Sequence, residues 1–353
     1  MRPVAVTLLC LAAAAAPLAQ TPSKGLTEVP GVRVGHAVMA GRPTGCTVVL
    51  VDGAGAVGAM SQRGAAPGTR ETDLLDPANH VDRVNAIVLA GGSAYGLDAA
   101  TGVERYFEER KVGWSAGSTG LVPVVASAIL IDLWFGGDPK IRPDADCGYR
   151  AARAATDGPV AEGNVGAGAG ATVGKIAGSE RAMKAGIGTS AVRLSNGLVV
   201  AAIVAVNALG DVIDFATGNT VAGVRTVDGR RLAGALHVLR AVDSPAPPRA
   251  AENTTIAIIA TNATLSKAQA HRVGLMADDG FSRAINPIHT MADGDTVFVL
   301  ATGTWDGQAA PDRVGALAAD VLAEAIVRAA ATAESSHGVP SARELGTVPP
   351  RLR

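Results

Sequence analysis

The hydrophobic positions along this chain form short apolar runs that alternate with amphipathic stretches. Runs rich in β-branched residues and bounded by glycine, proline or asparagine are typical of strands, and they occur at residues 31–37, 46–52, 56–63, 85–91, 254–261 and 296–303. Residues 170–218 predict further strands with hairpin turns at 195–197 and 209–211. Residues 123–133 are apolar throughout, so periodicity leaves a strand and a buried helix both open.

Helical periodicity marks other parts of the chain. It predicts one helix capped by Ser93 and a second that begins with a capping box of Ser266 and Gln269. It also predicts helices at residues 149–156 and at about residues 311–334. Residues 224–253 show no such pattern, and residues 244–249 form an exposed Pro-rich segment. Because strands and helices alternate, we expect one α/β domain with sheets packed between helices.

The composition narrows the class of protein. The chain has 353 residues and a net charge of −1, so there is no basic excess, and only 3% of its residues are aromatic. These values argue against a partner that is a nucleic acid. A hydrophobic content of 48% over this length is sufficient for a sizeable core.

The first twenty residues have the pattern of an export signal. Arg2 supplies a positive charge, residues 4–16 are apolar but too few to span a bilayer, and small residues follow. We predict a signal peptide at 1–19 and a secreted, periplasmic domain at 20–353 that is free of the membrane after signal removal. An uncleaved anchor or a misassigned start is the alternative. The mature domain keeps Cys46 and Cys147, which allows one disulfide.

The usual catalytic and cofactor motifs are missing from the sequence. The glycines at 91, 92 and 96 depart from the dinucleotide-binding spacing, and the loop that ends in Gly174 and Lys175 departs from a phosphate-binding loop. The histidines and cysteines lack metal-ligand spacing, and there is no G-x-S-x-G nucleophile elbow. We therefore predict neither a metal nor an organic cofactor, and we look for an unusual nucleophile.

The sequence Asn253-Thr254-Thr255 allows two interpretations. It can be a turn followed by a β-branched strand, which the local sequence alone favours. It can also be a site at which the chain is cut, so that Thr254 becomes a new N-terminus. The wider sequence has to decide between them.

Six blocks of the sequence resemble one known family. In order, they are GVRVGHA, TGCTVVL, GAAPGTRETDLLDP, AIVLAGGSAYGLDAATGVERYFEER, GNVGAGAGATVGK and ENTTIAIIATNA. Together they are similar to the L-aminopeptidase D-Ala-esterase/amidase (DmpA-type) family, which includes β-aminopeptidases and nylon-oligomer hydrolases. The resemblance covers nearly the whole mature chain. It implies an αββα sandwich, self-cleavage into two chains that stay together, and a homo-oligomer that is a tetramer of such two-chain units.

The chemistry of an N-terminal threonine agrees with this resemblance. A threonine hydroxyl is a poor nucleophile without an adjacent base. An α-amino group, with a pKa of about 7.7–8.0, is such a base near neutral pH. That amine does not exist in the uncut chain, so cleavage creates the nucleophile and its base together.

The resemblance to nylon-hydrolase-like members implies a cut between Asn253 and Thr254. The mature chain would then divide into residues 20–253 and 254–353. Thr255 is the rival nucleophile. Neighbouring residues of a strand point to opposite faces, so Thr254 and Thr255 cannot both serve one site.

Four further site residues carry over from the family by position. Asn207 is implied to donate its amide N–H to the oxyanion, and Lys175 to lie beside the nucleophile and disfavour protonation of its amine. Asp293 and Asp295 match the acidic pair of the nylon-hydrolase-like branch and are implied to hold the Thr254 ammonium. The alternatives are an asparagine that favours the adjacent turn, an exposed strand lysine and an Asp-Gly hairpin turn.

The sequence departs from relatives in the family in two ways. The acidic pair stands where the aminopeptidase branch has a serine and a glutamate, which argues against a strict aminopeptidase. Ile131 stands where several relatives have an aromatic residue, often a tyrosine that assists the oxyanion. An isoleucine side chain cannot donate a hydrogen bond, so this departure puts the two-donor oxyanion hole in doubt.

The sequence therefore predicts a self-processing N-terminal threonine hydrolase that cleaves a small peptide or amide substrate. An acyltransferase on a related self-processing fold and an inactive binding homologue are the alternatives. The sequence leaves L-amino acid amides, β-peptides, D-amino acid esters and synthetic oligoamides open as substrates.

Overall fold

The computed structural model describes residues 23–241 and 253–353. The predicted signal peptide and the Pro-rich residues 244–249 lie outside them. The apolar β-branched runs form the longer strands, as the sequence predicts. In chain order the described strands are β1 (Val32–Val38), β2 (Gly45–Val51), β3 (Ala56–Gln62), β4 (Thr69–Arg70), β5 (Arg83–Val84), β6 (Ala86–Ala90), β7 (Trp114–Ser115), β8 (Leu121–Val122), β9 (Val125–Ile129), β10 (Thr172–Val173), β11 (Met183–Lys184), β12 (Ile187–Arg193), β13 (Val199–Asn207), β14 (Asp211–Ile213), β15 (Thr220–Ala222), β16 (Thr254–Thr261), β17 (Ile285–Asn286) and β18 (Thr296–Ala301).

The longer helices carry an apolar stripe that packs on a sheet. The α-helices are α1 (Ala99–Glu108), α2 (Ala145–Ala154), α3 (Ala235–Arg240), α4 (Lys267–Ala277), α5 (Asp279–Ala284) and α6 (Pro311–Ala331). The predicted capping box is confirmed, because the Ser266 side chain accepts from the Gln269 N–H and the Gln269 side chain accepts from the Ser266 N–H.

The two large sheets form the centre of the fold. The first has the strand order β1-β2-β6-β9-β4, and the second has the order β12-β13-β16-β18-β3-β5. Helices α1 and α2 pack on the outer face of the first sheet, and α4 and α6 pack on the outer face of the second. One apolar layer lies between the sheets and one lies beneath each pair of helices. The predicted αββα sandwich is therefore confirmed.

Strand β16, which begins at Thr254, lies inside the second sheet. It pairs antiparallel with β13 and parallel with β18, and all 8 of its residues are buried. Ile256 and Ile258 face the first sheet, whereas Ala257 and Ile259 face the helices. The prediction of a central strand that is apolar on both faces is confirmed.

One of the two predicted hairpin turns is wrong. β12 and β13 pair antiparallel around residues 195–197, as predicted. At residues 209–211 the chain instead leaves the second sheet, and β14 joins β15 and β17. Here β14 pairs with β17, and Gly210 packs so closely against the end of β17 that an added Cβ would lie 2.1 Å from the Pro287 carbonyl oxygen.

Ser93 does not cap a helix through its side chain. It begins a short 3₁₀ turn, Ser93–Asp98, that precedes α1, and the described residues show no side-chain capping bond there. Its N–H donates to the Leu130 carbonyl (3.0 Å), which ties this backbone to the end of β9. Ser93 adopts a left-handed φ of 57°, a conformation unlike that of a helix cap.

Several further predictions concern single elements and the two cysteines. Residues 123–133 contain strand β9, so the strand is the correct alternative. The second helix begins at Ala145, before the predicted 149–156, and α3 lies in a region without a predicted pattern. Cys46 and Cys147 form a disulfide. Among residues 23–241 and 253–353, no helix has the length and apolar character needed to cross a bilayer.

Candidate active site

Thr254 lies at the start of β16 and faces the first sheet. Its side chain lies on the same face as Ile256, and Thr255 lies on the helix side, so the predicted opposition of the two threonines is confirmed. Thr254 is 1% exposed, and its Oγ1 donates to the Asn253 carbonyl oxygen at 2.5 Å. The hydroxyl therefore adjoins the carbonyl of the peptide bond that precedes Thr254.

The Asn253 carbonyl has a second donor in the loop before β18. The Gly294 N–H donates to it at 3.0 Å, and Asn253 also forms a parallel bridge with Asp293. Gly294 has to be a glycine here, because an added Cβ would lie 2.4 Å from the Ala66 carbonyl oxygen and 2.9 Å from Thr254 Oγ1. This backbone donor polarises the Asn253 carbonyl.

Asn207 lies directly opposite Thr254 on the neighbouring strand. The antiparallel register of β13 and β16 pairs these two residues, so their side chains are close neighbours on one face. Asn207 Oδ1 accepts from the Thr172 N–H (3.1 Å), and Asn207 Nδ2 donates to the Ile131 carbonyl oxygen (3.0 Å). These hydrogen bonds define the orientation of the Asn207 amide and engage one of the two N–H groups on Nδ2.

Lys175 is buried beside Asn207. It is 2% exposed, so the alternative of an exposed strand lysine is wrong. Its Nζ donates to Asn207 Oδ1 at 2.9 Å and to the Asn207 carbonyl oxygen at 3.1 Å. The turn that brings it there needs Gly174, whose φ is 73° and whose Cβ, if added, would lie 2.0 Å from the Gly223 backbone.

Asp295 holds the peptide unit that follows Thr254. Its Oδ1 accepts from the Thr255 N–H at 2.8 Å, and its Oδ2 accepts from the His289 N–H (3.1 Å) and contacts His289 Nδ1 (3.0 Å). Asp293 is also buried, and its Oδ2 accepts from the N–H (3.0 Å) and hydroxyl (2.6 Å) of Thr290. The Asp-Gly sequence is no hairpin turn, because β18 pairs with β16 and β3.

The main chain of Ile131, and not its side chain, takes part in the site. Its carbonyl orients the Asn207 amide, and the next residue, Asp132, forms a fully buried ion pair with Arg42 (2.7 Å). Arg42 also donates to the Phe135 carbonyl (3.1 Å) and the Ile141 carbonyl (2.8 Å). This pair fixes the loop after β9 and, with it, the Ile131 carbonyl.

Asp293 makes the stability of the protein depend on pH. Burial first, and then the charge of Asp295, raises the pKa of Asp293 from 3.8 to about 6. The folded state therefore binds this proton more tightly than the unfolded chain, and the free energy of unfolding falls as the pH rises from about 4 to about 6. A change of this size corresponds to roughly 3 kcal/mol at most.

Asp293→Asn is expected to remove this contribution, because the amide does not ionise. The stability difference between variant and wild type should then shift in favour of the variant as the pH rises from about 4 to about 6. Thermal unfolding at a series of pH values measures it, with Asp138→Asn, an exposed carboxylate, as the matched control. A difference that stays constant with pH would contradict the assignment.

The chain is an αββα sandwich whose buried polar site lies where two central strands, β13 and β16, pair through Asn207 and Thr254. The chain belongs to peptidase family S58, whose sequence model matches residues 24–343. It is therefore an enzyme of the peptidase and amidase class.

Related sequences agree with this family. A Mycobacterium leprae (strain TN) protein described as an uncharacterized aminopeptidase is 43% identical over 301 residues, covering 79% of this chain and 78% of its own. A 6-aminohexanoate-oligomer endohydrolase of Kocuria sp. (strain KY2) is 32% identical over 273 residues, covering 76% of this chain and 72% of its own.

Solved structures share the fold. A Burkholderia sp. β-aminopeptidase superposes with a TM-score of 0.64 at 22% identity, covering 92% of each chain. The L-aminopeptidase D-Ala-esterase/amidase of Ochrobactrum anthropi, described as a variant of the Ntn hydrolase fold, gives 0.67 at 17% identity, with 92% of this chain and 95% of that chain covered. At these identities the likeness concerns the fold alone.

Some residues of the site escaped the sequence analysis. His289, Gly294 and Thr172 are distant in sequence from the predicted residues they contact, or carry no motif of their own, and only the fold brings these contacts about. The sequence carried one signal for Gly294, a glycine placed between two aspartates. The catalytic roles of Thr254, Asn207, Lys175, Asp293 and Asp295 stay predictions.

Proposed function

We propose that this chain cuts itself between Asn253 and Thr254 and then hydrolyses amide or peptide bonds with Thr254 as an N-terminal nucleophile. The observation that carries this proposal is the short contact between Thr254 Oγ1 and the Asn253 carbonyl oxygen, whose second donor is the Gly294 N–H. This contact supports self-cleavage, because it brings the Thr254 hydroxyl beside a carbonyl that the Gly294 N–H polarises.

Self-cleavage proceeds by an acyl shift from nitrogen to oxygen. Thr254 Oγ1 attacks the Asn253 carbonyl carbon, and the Gly294 N–H stabilises the negative charge on its oxygen. The C–N bond then breaks, and the proton of the hydroxyl passes to the departing nitrogen. Water hydrolyses the resulting ester, which leaves a carboxylate on Asn253 and a free amine and hydroxyl on Thr254.

Turnover employs the same hydroxyl with its new base. The Thr254 amine takes the hydroxyl proton while Oγ1 attacks the substrate carbonyl, and the amide nitrogen leaves with that proton. Asn207, whose amide is oriented by Ile131 and Thr172, donates to the developing oxyanion. Water then releases the acyl group as an acid. Lys175 beside Asn207 disfavours a protonated amine by its positive charge.

The substrate class follows from the family and its relatives. A small peptide or amide agrees with the peptidase family, with the relatives named as aminopeptidases, and with the relatives named as oligoamide hydrolases. The acidic pair Asp293 and Asp295 favours the oligoamide type. We also propose export through residues 1–19 and assembly of the two-chain units into tetramers.

The direct test is N-terminal sequencing and intact-mass measurement of the purified protein. We expect two fragments on a denaturing gel, the smaller beginning Thr-Thr-Ile-Ala and covering residues 254–353. In native buffer they should elute together, because β16 is buried between strands on both sides. A start at Thr255, a single unbroken chain or a free small fragment would contradict the proposal.

A second measurement separates hydrolysis from the two alternatives. Product formation is followed with and without an added amine acceptor, using L-aminoacyl anilides and linear 6-aminohexanoate oligomers as probes. Hydrolysis that does not depend on the acceptor supports the proposal. Products formed only with the acceptor would identify an acyltransferase, and an uncut chain without products would identify an inactive homologue.

A further inference from the structure

We propose that His289 is a positioning residue for Thr254: its imidazolium bridges the buried carboxylates of Asp278 and Asp295, and so fixes the carboxylate that holds the first peptide unit of β16. This inference rests on the proposed function, because it assigns His289 to the nucleophile that self-cleavage would create. His289 acts through Asp295 and does not itself contact the reacting atoms.

The two oxygens of Asp295 have different partners. Oδ1 accepts from the Thr255 N–H at 2.8 Å, one residue beyond the nucleophile. Oδ2 meets His289 twice, at its backbone N–H (3.1 Å) and at Nδ1 (3.0 Å). With Oδ2 held by His289, the carboxylate plane is set and Oδ1 is aimed at Thr255.

The backbone of His289 is held in an uncommon conformation for this contact. Its φ is 57°, in the left-handed region that non-glycine residues seldom adopt, although asparagine and histidine adopt it more readily than most. This conformation brings the backbone N–H and Nδ1 of one residue to a single carboxylate oxygen. Such outliers persist where surrounding contacts require them.

The other ring nitrogen faces a second carboxylate. His289 Nε2 lies 3.5 Å from Asp278 Oδ1, and Asp278 Oδ2 accepts from the Ser61 hydroxyl at 2.5 Å. Asp278 is 1% exposed, where α4 passes into α5. A buried carboxylate is costly unless a positive charge or hydrogen bonds compensate it. An imidazolium at His289 supplies a positive charge to both Asp278 and Asp295 and a hydrogen bond to Asp295.

The charged surroundings of His289 come from three elements. Its own loop contributes Asp295, the α4–α5 junction contributes Asp278, and the residue after β3 contributes Arg63. Arg63 is half exposed and pairs with Asp279 at 3.9 Å, and the Phe281 ring packs against the imidazole with centroids 5.8 Å apart. Burial would lower the pKa of His289, but the hydrogen bond and charge of Asp295 and the charge of Asp278 outweigh it and raise this pKa above 6.5.

Protonation of His289 determines the sign of the pH effect on activity. Below its raised pKa, His289 is an imidazolium and the Asp278–His289–Asp295 bridge is complete. Above it, the ring loses a proton and two buried carboxylates lack the charge between them, so the hold on Thr255 weakens. Activity should therefore show an alkaline decline that His289 controls, in addition to the acid-side requirement for a free Thr254 amine.

The experiment compares kcat and kcat/KM against pH for processed enzyme carrying His289→Asn, Asp278→Asn or His271→Asn. Asparagine suits the left-handed backbone and retains an N–H donor near the position of Nδ1, but it carries no charge and does not reach Asp278. His271 is the matched control, since it is half-buried and its Nδ1 contacts only the Met60 carbonyl (3.0 Å) among the described residues.

For His289→Asn we expect kcat to fall by roughly 10-fold at neutral pH, with little change in KM and without the alkaline decline. For Asp278→Asn the decline should move to lower pH, because the carboxylate that raises the His289 pKa is gone. His271→Asn should keep the wild-type profile. A merely structural role would lower activity at every pH and leave the decline where it is.

The outcomes separate this inference from the proposed function. If Thr254→Ala is inert and His289→Asn keeps the wild-type alkaline decline, the inference is wrong and the proposed function stands. If Thr254→Ala is still cut and active, the proposed function itself is wrong. Should His289→Asn remain uncut, Asp278→Asn decides: a decline at unchanged pH overturns the inference, and a shift to lower pH supports it.

Discussion

Thr254→Ala is expected to accumulate as one uncut chain without measurable hydrolysis. The hydroxyl that contacts the Asn253 carbonyl is lost, so neither the acyl shift nor the attack on substrate can occur. Removal of a catalytic nucleophile costs on the order of 10⁶ in kcat in enzymes of comparable chemistry. A denaturing gel measures the first event, and amide hydrolysis measures the second.

Thr254→Ser and Thr255→Ala are the controls for this result. Serine keeps the hydroxyl on a less crowded carbon, so part of both activities should remain. Thr255→Ala removes a hydroxyl on the helix side of β16 and keeps the N–H that donates to Asp295, so self-cleavage should persist. If Thr255→Ala were inert while Thr254→Ala stayed active, the nucleophile would be Thr255 and not Thr254.

Asn207→Asp is expected to lower kcat by roughly 10²–10³ or more, because it removes the proposed oxyanion donor without changing side-chain size. The substitution keeps an acceptor for the Thr172 N–H and for Lys175, so the local packing is retained. It loses the donor to the Ile131 carbonyl and adds negative charge where an oxyanion develops. Single-turnover kinetics on processed enzyme separates this chemical step from substrate binding.

Self-cleavage should suffer less than turnover in Asn207→Asp. The Asn253 carbonyl already has the Gly294 N–H as a donor, so the acyl shift does not depend on Asn207 alone. We expect the variant to appear as two fragments that hydrolyse slowly. A variant that turns over at the wild-type rate would exclude Asn207 as the oxyanion donor.

The layers of the fold were predictable because their signals are local. The run Ile256 to Ala260 is apolar on both faces and becomes a central strand, and the alanine-rich stretch becomes α6. The turn at residues 209–211 has equally good turn residues but is no hairpin. The strand that follows it, β14, pairs with β17, which is far away in sequence, and local turn rules contain no such term.

The candidate site was predictable only through the family resemblance. Asn207 and Thr254 are separated by many residues and become neighbours through the register of β13 and β16. His289 lies in a stretch whose sequence predicts only an ordinary loop. Its partner Asp278 lies at the junction of α4 and α5, so no sequence motif links the two residues.

The position of β16 determines how the mature enzyme can recover from unfolding. In the uncut chain β16 reaches its place between β13 and β18 by an intramolecular search, whereas after the proposed cleavage two separate polypeptides would have to meet. Refolding from denaturant should then be second order in protein for the wild type and first order for Thr254→Ala. If the chain is cut as proposed, the stability of the cut enzyme therefore depends on protein concentration, and the peptide bond before Thr254 acts as an assembly tether that is used once.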